Sequence, residues 1–566
     1  MHAAINLEQV LPSRSRLRTL TVGTEHLVLG SNWMAEVAST AAEQAAPVIN
    51  AKSDAPFNSG LPPEVLSRTF ELLRDDRELA GSLDWLTVSH VSRRWRAVAL
   101  GHEYLWTSFG ALALSRGLLR VFLSRSGTAP LAVSIGTLSG AKDHILRQAY
   151  RQLLSSELHR IQSLVYEDGE ATWQLLPAEE VALLLHGPAP TLRVLSLPGS
   201  KRSKLLFKEA NTLLEFLSKH ARNIRQLDLR QFPPQCFPWR SPLASMRSLV
   251  LSVDGSVDSG SSQTFDDVLN GLRAMPFLER LSISGFGASH ASHGVARDHV
   301  HLPRLQVLRL TGNHDRYGYM WRCLRTHPLC AVRIEIPRSF TYPASIRPAL
   351  VAHLAHSDTT MLREMIVNKN SATILSFSLF PPDHPPDEME TSEFTHPSIS
   401  IFIAWEQPLE MAPYLPAVQI LLSTPIAHLQ RLTLDALDFT RVDPEHMAAL
   451  CPLARSLEVL TLRSFRPHML SSALLLIGGV YTSNMSMSEF PYPALQKLVL
   501  KRCDFDRDVA APALRDALTR RALAEAKLEE VAFVACGLCS GRFEELYGEL
   551  VETGLVERIV CEEDEE

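Results

Sequence analysis

Apolar residues recur along most of this chain in one spacing, first-x-x-second-x-third. The copies are Leu192/Leu195/Leu197, Ile224/Leu227/Leu229, Met246/Leu249/Leu251, Leu278/Leu281/Ile283 and Leu305/Leu308/Leu310. Later copies are Leu429/Leu432/Leu434, Leu457/Leu460/Leu462, Leu495/Leu498/Leu500 and Leu528/Val531/Phe533, and a weaker Ile161/Leu164/Tyr166 opens the series. The second and third positions alternate with polar ones, as in a strand with one buried face. Helical patterns precede several copies, over residues 212–220, 264–275 and 512–521. Asp443-Pro444-Glu445 reads as a capped helix start before Leu457. Each unit is therefore helix, turn and strand, and stacking buries both apolar faces.

Such units resemble leucine-rich repeats. Their starts lie 22 to 38 residues apart, mostly longer than the roughly 20–29 of regular members. The expected fold is α/β, a leucine-rich-repeat-like solenoid over residues 110–560. Between about 311 and 428 the pattern loosens. Ala372/Leu375/Phe377 and Ile399 to Ile403 read as strands there, and the Pro- and acid-rich residues near 380–397 as a long excursion.

Ahead of the repeats, Pro62 and Pro63 mark a helix start. Leu66, Phe70 and Leu73 share one face of that helix, widened by Val65, Thr69 and Leu72. Val88, Val91, Trp95 and Val98 form a second stripe, with Arg93, Arg94 and Arg96 off it. Leu105-Trp106 supplies a final bulky pair. In sequence order, Leu61-Pro62, Glu64-Val65-Leu66, Thr69-Phe70, Val91-Ser92-Arg93-Arg94-Trp95 and Leu105-Trp106 resemble the F-box motif, with Ser92 where Cys is common. The long charged link around Asp75 to Asp84 is similar to that of the large F-box families of mushroom-forming fungi.

The resemblance implies a three-helix module over residues 61–109 that docks on a Skp-type adaptor, and through it on a cullin. The repeats would then present a target protein, making the chain a substrate receptor of a ubiquitin ligase and not itself an enzyme. Carried over residue by residue, the adaptor-binding set is Leu61, Pro62, Glu64, Leu66, Phe70, Leu73, Val88, Val91, Trp95, Leu105 and Trp106. The set mixes adaptor-facing and module-core positions. The competing reading is a repeat scaffold outside any ligase, with the helices as its N-terminal cap.

Net charge is −6, and the five acidic residues Glu562 to Glu566 account for all but −1 of it. Residues 561–566 read as an acidic tail. A near-neutral body points to neither nucleic acid nor membrane. No apolar run approaches the roughly 18 residues of a membrane span, and no secretory leader is expected. The eight scattered cysteines read as reduced thiols of the cytoplasm or nucleus. Residues 1–60 carry little pattern and are expected to hold little stable structure.

Outward strand positions offer a binding surface. Seven are basic, namely Arg230, Arg280, Arg309, Arg431, Arg463, Lys497 and Lys501, against three acids, Asp228, Asp435 and Glu530. A basic inner curve suits an acidic or phosphorylated target. Other motifs carry less. His290, His293, His299 and His301 with Asp298 lie in a loop-like run lacking a Cys ligand, and Cys536-x-x-Cys539 lacks the second pair of a zinc site. No metal or cofactor is expected.

Overall fold

A computed structural model of the chain describes most of residues 61–562. Outside it lie 1–60, 76–82, 137–142, 167–179, 198–206, 233–236, 253–264, 286–298, 313–315, 337–345, 357–363, 381–398, 405–427, 436–455, 480–491, 504–508, 537–541 and 563–566, with a few single positions and pairs. The expectations placed on 1–60, the 380–397 excursion, the helix before Leu457 and His290, His293, Asp298 and Cys539 fall there.

The described residues form a mixed α/β structure. A helical module opens it: α1 (Pro63–Asp75), α2 (Val88–Val91) and α3 (Arg93–Gly101). Two short helices, α4 (Ala111–Ser115) and α5 (Leu119–Arg125), lead into the sheet.

Seventeen strands make one sheet. It begins with β1 (Ser108–Phe109), β2 (Leu131–Ile135), β3 (Ile161–Tyr166), β4 (Val194–Leu197), β5 (Gln226–Arg230), β6 (Ser248–Ser252) and β7 (Arg280–Ser284), each parallel to the next. A separate pair, β8 (Val300–Leu302) and β10 (Leu324–Thr326), lies beside it. The main sheet continues with β9 (Val307–Thr311) and β11 (Ala331–Ile336). Next come β12 (Glu364–Ser371), β13 (Ile374–Phe380) and β14 (Ile399–Ala404) in the spatial order β14, β13, β12, with β13 antiparallel to both neighbours. Parallel order resumes through β15 (Arg431–Asp435), β16 (Val459–Arg463), β17 (Lys497–Lys501), β18 (Leu528–Val534) and β19 (Val556–Glu562). The loosened sequence pattern between 311 and 428 coincides with this one reversal.

Larger helices accompany the strands: α6 (Asp143–Glu157), α7 (Phe207–His220), α8 (Phe265–Arg273), α9 (Arg316–Cys323), α10 (Ile346–His356), α11 (Pro467–Ile477), α12 (Ala510–Leu523) and α13 (Arg542–Glu552). The alternate strand leucines pack with Leu213, Phe216, Val268 and Leu514 of these helices in one continuous core. Each fully buried leucine contributes about 1.5–3 kcal/mol. Close packing is visible at Gly271 of α8, where a Cβ would meet the Trp239 carbonyl oxygen at 2.6 Å.

Strand entry is fixed by repeated polar turns. Thr191 Oγ1 donates to the carbonyls of His159 and Ile161, each at 3.0 Å, and Ser245 Oγ to those of Arg222 and Ile224 at 3.1 and 2.8 Å. Beyond the strands, Cys503 Sγ donates to the Leu462 carbonyl at 3.2 Å and Cys536 Sγ to that of Leu500 at 2.9 Å. Cys536 thus reaches back to a neighbouring strand. Cys561 and Glu562 belong to β19, not to a tail, because Cys561 pairs with Phe533 and Glu562 with Val534.

Candidate functional site

The helical module holds itself together through its aromatic residues. Leu66 and Phe70 of α1 are buried, and the Phe70 ring lies 5.2 Å from that of Trp95 at 54°. The stripe expected from Val88 to Val98 is broken at Ser92, which is extended (φ −154°) and caps α3, its Oγ accepting from the Trp95 backbone N–H at 3.1 Å. A Ser hydroxyl fills the N-cap role well. The break turns Val91 outward, 46% exposed, whereas Val88 stays inside.

Leu105 and Trp106 face inward too. The Trp106 indole N–H donates to the Ala99 carbonyl at 2.9 Å. Its ring lies 5.3 Å from Trp85 and 5.1 Å from Phe122, under the Arg125 guanidinium at 4.8 Å. Phe122 also touches Phe109 of β1. The pair therefore joins the module to the sheet. Next to it, Arg160 is buried and donates to the Gly127 and Ala129 carbonyls at 2.7 and 3.2 Å while its Nε meets Glu157 at 2.7 Å.

These contacts divide the candidate adaptor-binding set. Leu66, Phe70, Val88, Leu105 and Trp106 are interior residues, and Leu61, Leu73 and Trp95 are half-buried. Pro62, Glu64 and Val91 are exposed. The apolar face left open lies one position away from the buried stripe. Val65 and Leu72 are 45% and 56% exposed, with Thr69 between them at helical spacing, and Pro62 and Pro63 extend the face. These residues were expected to widen the inner stripe; instead α1 shows Leu66 and Phe70 inward and Val65 and Leu72 to solvent.

Two tethers fix that face. Arg94 donates to the Leu61 carbonyl, so it is not simply solvated, and Arg74 donates to the carbonyl of the exposed Tyr104. Glu71 bonds His102 at 2.8 Å and Arg68 at 2.6 Å, and these two partners, His102 first, hold its carboxyl below the usual range.

The outward face of the sheet differs from expectation. Five of the seven candidate cations carry carboxylate partners. Arg230 meets Asp228 at 3.3 Å, Arg309 meets Glu335 at 3.0 Å, and Arg431 meets Glu364 at 3.8 Å. Arg463 meets Asp435 at 3.6 Å and Lys497 meets Glu530 at 2.6 Å. Arg333 and Arg558 share Glu335 and Glu530. The strand register creates most of these pairs, setting Arg431 opposite Glu364 and Lys497 opposite Glu530. The outward face of these strands is thus largely self-neutralised, unlike the basic surface read from the sequence. Arg280 and Lys501 form no side-chain ion pair or hydrogen bond among the described residues.

Burial pushes the Glu364 and Asp435 carboxyls up, only partly offset by Arg431 and Arg463. Burial acts the same way on Glu335, but Arg309 and Arg333 together outweigh it and hold that carboxyl low. A hollow of about 790 Å³ lies over β3 to β11, floored by small residues such as Ser248, Val250 and Ser282 and edged by Arg280 and Arg309.

His301 sits in β8 and His299 just before it, and among the described residues no group of His, Cys, Asp or Glu could hold a metal. No described helix is long and apolar enough to cross a membrane. A family model for F-box-like domains matches residues 59–110, the helical module just described. No curated protein sequence matches the chain.

Proposed function

We propose that the chain is the substrate-receptor subunit of a Skp–cullin–F-box ubiquitin ligase. The observation that carries this reading is the open apolar face of α1 inside the F-box-like match. Four of the twelve large apolar side chains exposed among the described residues, Val65, Leu72, Val91 and Tyr104, belong to this short module. Apolar side chains gathered on one small unit mark a partner site. A helix that served only as a cap would present a polar outer face.

The sheet-bearing part is read as a leucine-rich-repeat-like solenoid that receives a target protein. Two features support this. Strands recur in parallel with their leucines inward, and Cys503 and Cys536 stand three residues after Leu500 and Phe533, the third apolar residues of their triplets, at the Asn/Cys position of such repeats. The proposed mechanism is proximity: the target is held near the ligase's catalytic end, and this chain makes and breaks no bonds. Co-expression with a Skp-type adaptor and a cullin tests the proposal. Recovery of all three proteins together is expected, and a folded chain that brings down neither one would overturn it.

A further inference from the structure

Beyond the outward positions of the strands, a second set of arginines lines their entry. Arg193, Arg225 and Arg247 each follow the first apolar residue of a unit, Leu192, Ile224 and Met246. Their backbones are stacked. The Arg225 N–H donates to the Arg193 carbonyl at 2.8 Å, and that of Arg247 to the Arg225 carbonyl at 2.7 Å. The three side chains therefore leave equivalent places on successive strands, about 4.8 Å apart, and all three residues are exposed.

Arg247 is matched by Glu279 on the next strand at 3.1 Å. Arg193 and Arg225 have no side-chain ion pair or hydrogen bond among the described residues. A hollow of about 320 Å³ opens between them, lined also by Gln162, Thr191, Asn223 and Ser245, and none of its described lining residues is acidic. The hydroxyls of Thr191 and Ser245 are spent on turn carbonyls, and the Asn223 amide donates to the Pro190 carbonyl at 2.8 Å. The two guanidiniums are thus the charged donors open to this hollow, mounted on hydrogen-bonded turns, with the neutral Gln162 amide beside them.

The rest of the face shows what this protein does with strand cations that it neutralises itself. Arg431, Arg463 and Lys497 each have a carboxylate on a neighbouring strand. Like charges on neighbouring strands repel, yet Arg193 and Arg225 are stacked without one. A guanidinium fork fits carboxylate and phosphate oxygens in pairs.

We infer that the strand-entry rim at Arg193 and Arg225 binds an acidic or phosphorylated segment of a target protein. This rests on the reading of the sheet-bearing part as a target receptor, and it moves the contact from the self-paired inner curve to the rim. Binding there weakens as salt rises, since the guanidiniums are exposed.

The test uses the full chain and three fluorescein-labelled peptides of equal length: glutamate-rich, phosphoserine-rich and a glutamine control. Anisotropy should show the charged peptides bound over the control. Whichever charged peptide binds more tightly identifies carboxylate or phosphate as the ligand group. The Arg193→Glu/Arg225→Glu variant should weaken that binding by about tenfold or more. Arg193→Gln/Arg225→Gln should weaken it less, and it carries the test if the reversal does not fold. Arg463→Glu should bind like the wild type. No preference for charged peptides, or undiminished binding by the rim variants, would overturn the inference. Adaptor co-purification from the same samples reads the ligase proposal separately, because the rim lies outside the helical module.

Discussion

Replacing Phe70 with Ala should unfold the helical module without touching its exposed apolar face. The ring is completely buried and packs on Trp95 at 5.2 Å. Truncating a buried phenylalanine costs about 3–5 kcal/mol, of which the aromatic pair supplies about 0.5–1.5 kcal/mol. Three short helices bury little core of their own, so a loss of that size is comparable to their local stability. At about 1.4 kcal/mol per tenfold, local opening becomes more frequent by between about a hundredfold and several thousandfold. Hydrogen exchange read by mass spectrometry measures this directly. Peptides from α1 and α3 should exchange faster by that factor, while those from β5 to β7 stay protected. Leu72→Ala, at a site 56% exposed, should change protection by no more than about 0.5 kcal/mol. Equal protection in Phe70→Ala and wild type, or equal losses in the two variants, would refute the division of α1 into an inner and an outer face.

Three further outcomes are expected. Arg160→Met leaves the Gly127 and Ala129 carbonyls and the Glu157 carboxylate without their partner; calorimetry should show a loss of about 3–5 kcal/mol, against no change for the exposed Arg120→Met. Glu335→Gln should be less stable than wild type at pH 7. Because the folded Glu335 carboxyl is held low, its stabilisation is present above the unfolded carboxylate pKa and disappears as pH falls through the folded one, so urea midpoints of the two proteins should converge in acid. Gly271→Ala should lower the melting temperature even though Ala favours a helix by about 1 kcal/mol, because the new Cβ would meet the Trp239 carbonyl; a raised melting temperature would contradict the close packing of α8.

The strands were legible because their signal is local. Alternating leucines need only a buried face, and the triplets at 192, 224, 246, 278 and 305 lie at strands β4, β5, β6, β7 and β9 of the parallel ladder. β2 and β19 lack the leading leucine and passed unnoticed, although Leu131–Ile135 alternates buried and half-buried residues. The surface charge was not legible, because Glu364 and Glu335 become partners of Arg431 and Arg309 only once the strand register is known. The rim arginines were missed for a related reason. They precede the strands, where alternation says nothing. In the helical module the residues were recognised, but a helical stripe could not say which neighbouring stripe, Leu66/Phe70 or Val65/Leu72, turned inward. The Ser92 cap, which reset the second helix, gave a signal only through its neighbour spacing.

The adaptor affinity of a Val65→Asp/Leu72→Asp variant tests the account most directly. Titration calorimetry against a Skp-type adaptor should show tight binding by wild type. The variant, with unchanged hydrogen exchange in α1 and α3, should lose at least about a hundredfold, since carboxylates would replace two central apolar contacts. Equal affinity in wild type and a folded variant would contradict the assignment of this face as the adaptor-docking surface.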